Sequence, residues 1–307
     1  MMPFFDAEAI ARLVPPAEAV AAIEAALRGG LDPAAGIARA YVAVPAGELL
    51  LMPAWSASHA GVKLASIAPG NAALGLPRIN AIYVLFDGVT LRPVALLDGS
   101  ALTTLRTPAV SIAAIRWALR SEPLRLLVFG AGPQGRGHIA TLGAVAALST
   151  VDVVVRSPDK VDVDSLNTSV RLLRAGSPEV DEALAAADVV VCATTARRPL
   201  FDSAPLTDRA IVVAVGSHEP DAREVDSALC RRATVIVEDV ATALRECGDI
   251  VLAIEDGALT ADRLVPIRDA VSGTGAETVA GPVLFKGSGM AWQDLVVAEA
   301  VLASSTT

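Results

Sequence analysis

A glycine-rich segment, Gly130-Ala131-Gly132-Pro133-Gln134-Gly135, has the GxGxxG spacing that binds the pyrophosphate of a dinucleotide. The first glycine permits a tight turn, the second lets the backbone approach the phosphates, and the third lets helix and strand pack closely. The N–H groups at the start of the following helix would face the phosphates. We therefore predict a dinucleotide site at this turn, contacted by Gly130, Gly132, Gln134 and Gly135.

The end of the next strand bears on which dinucleotide binds. An NAD site usually has a carboxylate there for the ribose hydroxyls. Here the strand ends in Arg156-Ser157, and neither Asp152 at its start nor Asp159 beyond its end is well placed. Arg156 could pair with a 2′-phosphate and Ser157 could donate to it. NADP(H) is therefore favoured, NAD(H) stays possible, and the alternative for Arg156 is a solvated arginine.

The elements around this turn predict the fold class. Continuous apolar runs, typical of parallel strands buried on both faces, alternate with helical stretches. The runs are residues 126–129, 151–155, 188–192, 211–215 and 235–237. We predict an α/β fold of the Rossmann type, a doubly wound parallel sheet. Thr194 follows one strand at the carboxyl edge, where ligands bind in such folds, so we predict that it lines the cofactor cleft.

The sequence before residue 120 has a different character and predicts an α+β module. A helix is expected at 17–27 and another at 102–119. Strand-like runs occupy 40–44, 49–52, 62–67 and 81–86, and residues 80–98 have the pattern of a hairpin around Asp87-Gly88. The last helix, 290–302, is amphipathic and is free to return to this module.

Composition limits the kind of protein. Against 34 acidic residues there are 25 basic ones, a net charge of −9, which argues against nucleic acid as a partner. No run approaches the roughly 20 apolar residues of a membrane span, and no signal peptide is expected. Three widely spaced cysteines and three histidines indicate neither a disulfide framework nor a metal site. We expect a cytoplasmic enzyme without a metal.

Many short motifs, in order along nearly the whole chain, resemble the ornithine cyclodeaminase/μ-crystallin family. They are Leu51-Met52-Pro53-Ala54, Gly61-Val62-Lys63, Pro69-Gly70-Asn71, Asp98, Leu102-Thr103, Leu105-Arg106-Thr107, the glycine-rich turn with His138, Val215-Gly216, Phe285-Lys286-Gly287, Gly289-Met290-Ala291 and Asp294-Leu295.

The resemblance implies a homodimer. Residues 1–118 and 290–307 would form a substrate-binding and dimerisation domain around an inserted Rossmann domain, 119–289. It also implies hydride transfer between a nicotinamide and amino or imino acids. Such reactions include cyclodeamination of ornithine to proline, alanine dehydrogenation and reduction of cyclic ketimines. Thr107 would then contact the cofactor. Lys286 has a weaker case for a role in the site, because its motif could instead serve the turn between domains.

The substrate of such a reaction carries a carboxylate. Arg106 could hold it in a bidentate fork that lysine cannot make, and Arg39 and Lys63 would add charge and donors. Lys63, desolvated between two arginines, would have a lowered pKa and could pass a proton. The alternative for both arginines is a surface ion pair. His138, three residues after Gly135, is expected to pack and hydrogen-bond rather than to do chemistry.

Position 218 distinguishes the reactions. In ornithine cyclodeaminases this segment resembles Gly-Gly-Asp-x-Pro-Gly-Lys-x-Glu, whose Asp handles the substrate amine. By register on Gly216, Pro220 and Glu224, His218 stands in its place. A histidine can shuttle a proton, but when charged it repels ammonium.

We therefore predict an NAD(P)H-dependent reductase of cyclic imino acids such as Δ1-pyrroline-2-carboxylate and Δ1-piperideine-2-carboxylate. In this prediction His218 or Lys63 supplies the proton. The alternatives are an ornithine or lysine cyclodeaminase with bound NAD and an NADPH-dependent binding protein of the μ-crystallin type.

Overall fold

The computed structural model describes residues 2–274 and 281–306, which form two compact units. The first contains the described residues up to Thr107 together with those from Met290, and the second runs Pro108–Gly289. Within the described residues, no helix is long and apolar enough to cross a membrane.

The first unit is an α+β module. Its strands are β1 (Phe4–Phe5), β2 (Ala40–Val44), β3 (Gly47–Trp55), β4 (His59–Ile67), β5 (Ile79–Asp87) and β6 (Pro93–Asp98), in the sheet order β1-β6-β5-β4-β3-β2. The pairs from β2 to β6 are antiparallel, and β1 joins β6 in parallel. The hairpin predicted at 80–98 is confirmed as β5 and β6, with the Asp87 carboxylate accepting hydrogen bonds from the turn N–H groups of Val89 and Thr90.

Helices cover one face of this sheet. They are α1 (Ala7–Leu13), α2 (Pro16–Arg28) and α10 (Ala291–Ser304), and α10 contacts α2, β3 and β4. Most residues of α10 are apolar and buried, including Leu295, Val297 and Val301. The last helix therefore packs with the N-terminal module, as predicted.

The second unit is an α/β domain. Its parallel strands are β7 (Leu124–Phe129), β8 (Leu148–Val155), β9 (Arg171–Arg174), β10 (Val189–Cys192), β11 (Ile211–Ala214), β12 (Thr234–Val237), β13 (Leu264–Pro266) and β14 (Val283–Lys286). Its helices are α4 (Pro133–Val145), α5 (Pro178–Ala186), α6 (Ser227–Arg232), α7 (Val240–Glu246), α8 (Gly248–Glu255) and α9 (Ile267–Ser272).

The strand order β13-β12-β14-β11-β10-β7-β8-β9 confirms the doubly wound Rossmann class. From β7 the chain first winds outward through β8 and β9, then returns to β10 on the other side. The reversal places the carboxyl ends of β7 and β10 side by side, which is where dinucleotides bind in this fold. β10, β11 and β12 are buried almost throughout, as their continuous apolar runs predict.

The helix α3 (Gly99–Ile115) runs through the division between Thr107 and Pro108, so both units contain part of it. The assignment of residues 1–118 with 290–307 to one domain and 119–289 to the other therefore stays a prediction.

The sequence patterns did not predict β1, β9, β13 or β14. β14 matters most, because it lies between β11 and β12 inside the sheet. The alternative in which Lys286 serves a turn between domains is wrong: Lys286 is the last residue of β14 and is fully buried. Three apolar residues before a lysine and a glycine are too short a run for periodicity to separate from a loop.

Candidate functional site

Lys63 lies on β4 with its side chain on the covered face of the sheet. Its ammonium Nζ is 2.8 and 3.0 Å from the two carboxylate oxygens of Asp294 and 3.2 Å from Thr103 Oγ1. Lys63 is only 3% exposed, and Asp294 is fully buried at the start of α10. The ion pair therefore joins the sheet to the last helix.

Arg106 contacts the same carboxylate from α3. Its Nε is 3.3 Å from Asp294 Oδ1 and its Nη1 is 2.6 Å from Gln293 Oε1. The helix begins after Asp98, whose side chain accepts hydrogen bonds from the N–H groups of Ser100 and Ala101. This start places Thr103 and Arg106 one turn apart on one helix face. Arg106 is 5% exposed, so it is not a surface ion pair.

The electrostatics of this cluster agree with the lowered pKa that the sequence predicts for Lys63. Burial lowers the pKa of Lys63 from 10.5 to about 8, Asp294 opposes the shift, and Arg106 and Arg39 add to it. Arg39 is half-buried immediately before β2. The cations of Arg106 and Arg39 therefore add to the effect of burial, and the Asp294 carboxylate acts against it.

Sequence reasoning did not assign a role to Asp294 or Gln293. Both are fully buried polar residues at the start of an otherwise apolar helix. The sequence did contain a signal for Asp294. It is an acidic residue among the apolar positions of the helix that returns to the N-terminal module. Burying a charge is costly unless it is paired, so such a residue indicates a partner elsewhere in the chain.

The glycine-rich turn of the second unit has the geometry of a pyrophosphate site. Gly130 has φ +103°, and a Cβ there would lie 2.5 Å from the carbonyl oxygen of Ala193. A Cβ at Gly135 would lie 1.9 Å from the carbonyl oxygen of Gly130. At Gly132, by contrast, a Cβ would meet nothing within 4 Å, and no side chain caps the helix that follows. The open space and the uncapped N–H groups fit a dinucleotide phosphate.

Gln134 is half-buried in the first turn of α4, and its carbonyl oxygen lies 2.7 Å from His138 Nδ1. His138 is fully buried, with Nε2 2.9 Å from Ser111 Oγ, and burial lowers its pKa to about 4. The expectation that His138 packs and hydrogen-bonds is confirmed. Thr107 lies beside Arg106 on α3 and is half-buried.

Two carboxylates lie on or just beyond β8, and each has an arginine near it: Asp159 Oδ1 lies 3.9 Å from Arg174 Nη2, and Asp152 is paired on the neighbouring strand. Asp152 forms a bidentate ion pair at 2.8 Å with Arg171 on β9. Arg156 is exposed, Ser157 is half-buried, and the carbonyl oxygen of Arg156 accepts a hydrogen bond at 3.1 Å from Arg174 Nη1. Arg174, which sequence reasoning missed, brings a second guanidinium to this edge because β9 pairs with β8.

Thr194 lies two residues beyond β10 at the carboxyl edge. Its N–H and hydroxyl both donate to Glu224 Oε1 at 2.8 Å, and its hydroxyl accepts from the N–H of Ala196. A Cβ on Gly130 would lie 3.4 Å from Thr194 Cγ2, so Thr194 is next to the glycine-rich turn.

His218 follows β11 in a loop and is exposed. The preceding residue, Ser217, is buried and donates a hydrogen bond to the carbonyl oxygen of Ala222 at 2.9 Å. Within the described residues, no group of three or more His, Cys, Asp and Glu side chains could hold a metal ion.

Comparison with known proteins gives three findings. Residues 5–306 match the model of the ornithine cyclodeaminase/mu-crystallin family. The chain is 32% identical over 249 residues to the Δ1-pyrroline-2-carboxylate/Δ1-piperideine-2-carboxylate reductase of Azospirillum brasilense, covering 81% of this chain and 78% of that enzyme. The fold is similar to that of Thermococcus litoralis Δ1-pyrroline-2-carboxylate reductase in complex with NADH and L-proline, with a TM-score of 0.88, 25% identity and coverage of 100% and 98%.

An archaeal alanine dehydrogenase dimer with bound NAD is similar as well. Its TM-score is 0.86 at 25% identity, and the match covers 99% of this chain and 96% of that one.

Proposed function

The chain belongs to the ornithine cyclodeaminase/mu-crystallin family, and on that premise we propose that it is an NAD(P)H-dependent reductase of cyclic 2-imino acids. The substrate class is that of Δ1-pyrroline-2-carboxylate and Δ1-piperideine-2-carboxylate, on which the similar Azospirillum brasilense reductase acts by its name. The observation that carries the proposal is the buried cluster of Lys63 and Arg106 around Asp294, with Arg39 close enough to lower the pKa of Lys63.

The substrate carboxylate binds to the cationic cluster. Asp294 engages Arg106 through Nε and Gln293 engages it through Nη1, so the guanidinium is held in one orientation while its Nη2 edge has donors to offer. Arg39 and Lys63 supply further positive charge. Because Arg106 is held by two side chains before the substrate arrives, little of its rotamer entropy is lost on binding.

A proton must reach the imine nitrogen. Lys63, with its pKa lowered to about 8, is protonated at neutral pH and gives up its proton more readily than an ordinary lysine. His218 is the second candidate, since an imidazole can donate and accept protons through its two ring nitrogens. Both are part of the proposal, and substitution of each decides between them.

The reduced nicotinamide, when bound, supplies the hydride to the imine carbon. Gly130, Gly132 and Gly135 at the turn, Gln134, Thr194 and Thr107 are the residues that we propose for its binding. We further propose that NADPH is preferred to NADH. The support is the exposed Arg156 at the end of β8, the hydrogen bond that Arg174 donates to its carbonyl oxygen, and the engagement of Asp152 by Arg171.

We propose that the chain forms a homodimer through the uncovered face of the six-stranded sheet. Leu49, Leu51, Val62, Leu64 and Val84 point away from the face that α10 covers, and none of them is buried. An antiparallel sheet normally presents polar side chains to water on such a face, so a row of large apolar ones indicates a partner. The archaeal alanine dehydrogenase that is similar in fold is a dimer.

Two finer assignments accompany the proposal. The first unit is the substrate-binding and dimerisation domain and the second is the dinucleotide-binding domain. The compartment is the cytoplasm, in keeping with three cysteines that are all buried and free.

The test is an activity assay with purified protein. Mixed with Δ1-pyrroline-2-carboxylate or Δ1-piperideine-2-carboxylate and NADPH, the protein is expected to oxidise the cofactor and to form proline or pipecolate. Release of ammonia from ornithine with NAD, without reduction of any cyclic imine, would show a cyclodeaminase instead. Tight NADPH binding with neither activity would show a binding protein.

A further inference from the structure

A chain of buried charges in the second unit has no part in the chemistry proposed above. Lys286, Asp249 and Glu224 are each at most 1% exposed. Lys286 Nζ lies 3.0 Å from Asp249 Oδ2. Asp249 Oδ1 in turn accepts hydrogen bonds from the backbone N–H groups of Glu224, at 2.7 Å, and Val225, at 2.9 Å. The three residues come from β14, α8 and the segment after β11, so they are brought together only by folding.

The Glu224 carboxylate joins two loops at the carboxyl edge of the sheet. Oε1 accepts from the N–H and hydroxyl of Thr194, after β10, and Oε2 accepts from the N–H of Gly216, at 2.7 Å, after β11. A Cβ on Gly216 would lie 2.1 Å from the carbonyl oxygen of Thr194 and 2.4 Å from Glu224, so the two loops are in close contact. Burial raises the pKa of Glu224, and the charge of Lys286 and the bonds from Thr194 oppose that shift.

Lys286 also forms a hydrogen bond with Ser217, the residue that precedes His218. Its ammonium donates to the carbonyl oxygen of Ser217 at 2.6 Å, in addition to its ion pair with Asp249. Ser217 closes its own loop, because its hydroxyl donates a hydrogen bond to the carbonyl oxygen of Ala222. A Cβ on Gly248 would lie 2.1 Å from the same Ala222 carbonyl oxygen, so this loop packs directly on the start of α8.

A buried ion pair gives little stability compared with apolar residues of the same volume, because desolvation offsets the Coulombic gain. The buried charges instead fix the orientation of the backbone groups that bond to them. The buried carboxylate of Glu224 accepts three hydrogen bonds and that of Asp249 accepts two, and the five donors are backbone N–H groups and one hydroxyl of the segments at 194, 216 and 224–225. Apolar residues could not hold these backbone groups in place.

We propose that Lys286, Asp249 and Glu224 are positioning residues that fix the segment 216–224 and, through it, the placement of His218 beside the cofactor-binding edge. The part of the proposal that concerns His218 rests on the proposed function. The part that concerns the order of the segment does not.

The experiment uses the double variant Lys286→Met/Asp249→Asn. It removes both members of the Lys286–Asp249 ion pair together, so neither is left without the other. Glu224 keeps its three hydrogen bonds, and the new amide oxygen can still accept from the N–H groups of Glu224 and Val225. The bond to the Ser217 carbonyl is lost. The control is Arg209→Met/Asp262→Asn, which makes the same charge changes at exposed positions of the same unit.

Hydrogen exchange followed by mass spectrometry is the first readout. Amide exchange in 216–224 is expected to accelerate about tenfold or more in the double variant, with the strands β7 and β10 unchanged. Unchanged exchange in this segment, or equal acceleration throughout the unit, overturns the proposal. This readout needs no activity, so it stands even where no cyclic imine is reduced and the proposed function fails.

The second readout is kcat at saturating cofactor in a double-mutant cycle with His218→Ala. The double variant is expected to lower kcat about tenfold when His218 is present and less than about twofold when it is absent. Equal losses in both backgrounds show a structural effect and overturn the positioning of His218. Should the double variant not fold, Ser217→Ala loosens the same loop without touching a charge and must change both readouts in the same direction.

Discussion

Asp294 organises the substrate-side cluster at the scale of single residues. Its two carboxylate oxygens form ion pairs with Lys63 and Arg106, and all three side chains are buried. One carboxylate between two cations holds both side chains in place and neutralises only one of their two charges. The arrangement fixes the orientation of the Arg106 guanidinium and leaves Lys63 with a pKa that burial lowers to about 8.

Replacing Arg106 with lysine removes the planar fork but keeps the positive charge. We expect Arg106→Lys to raise KM and lower kcat together, with kcat/KM for the cyclic imine falling roughly ten- to hundredfold, since a charged hydrogen bond contributes about 1.5–3 kcal/mol. Steady-state kinetics measure this. Arg12→Lys, on an exposed position of α1, is the matched control. An unchanged kcat/KM in Arg106→Lys removes this residue from the site.

The lowered pKa of Lys63 predicts the pH dependence of the reaction. A proton donor must be protonated, so kcat/KM is expected to fall as the pH rises through about 8. Lys63→Arg substitutes a guanidinium, which stays protonated throughout the assay range, and should remove this limb of the profile. The profile is measured with a cyclic imine at saturating cofactor. A limb that persists in Lys63→Arg belongs to another group.

At the scale of elements, β7, the glycine-rich turn and α4 form the segment that we propose as the phosphate site. Two of its glycines are needed for the fold itself, because a Cβ at Gly130 or Gly135 would collide with backbone oxygens. The remaining glycine of the motif, Gly132, is not needed for packing. Its open surroundings leave room for the phosphate that we propose to bind there.

The two kinds of glycine can be separated by substitution. Gly132→Ala is expected to leave Tm unchanged and to raise the Kd of the cofactor about tenfold or more, because a methyl group would occupy the phosphate site. Gly135→Ala places a Cβ 1.9 Å from the Gly130 oxygen and is expected to lower Tm by several degrees. Thermal denaturation and fluorescence titration measure the two effects. A destabilised Gly132→Ala with unchanged cofactor affinity contradicts the assignment.

The prediction about cofactor choice concerns the ends of the paired strands β8 and β9. Arg156→Ala should weaken NADPH binding about tenfold or more and leave NADH binding nearly unchanged, because only NADPH has a 2′-phosphate. Titration of both cofactors measures the ratio, with Arg209→Ala as an exposed control on the same unit. Equal losses for the two cofactors show that Arg156 does not read the phosphate.

At the scale of the whole molecule, the helices described for the first unit pack on one face of its six-stranded sheet. The other face carries large apolar side chains, with Leu64 38% and Trp55 56% exposed. Such a face is a partner surface by its composition, and a second copy of the chain is the partner that we propose.

Leu64→Glu places a charge at the centre of that face. We expect the variant to shift from dimer to monomer in light scattering after size-exclusion chromatography, because burying an unpaired carboxylate in an apolar interface is costly. Val89→Glu changes an 89% exposed residue in the turn between β5 and β6 and should leave the dimer intact. A Leu64→Glu variant that remains dimeric places the interface elsewhere.

Local patterns in the sequence were enough to predict the Rossmann class, the antiparallel module and the glycine-rich turn. Strand and helix periodicity and the φ of a glycine are properties of neighbouring residues, which act wherever the segment is placed. The same patterns missed β14, whose apolar run is too short, and β9, whose four residues include two arginines. Both strands exist because neighbouring strands pair with them.

The contacts that make the site were decided by tertiary structure. Asp294 lies 231 residues from Lys63 and 188 from Arg106, and Lys286 lies 69 residues from Ser217. No local periodicity encodes such pairs. They form because a buried charge must find a partner once packing has excluded water, so the identity of each partner depends on which elements the fold brings together.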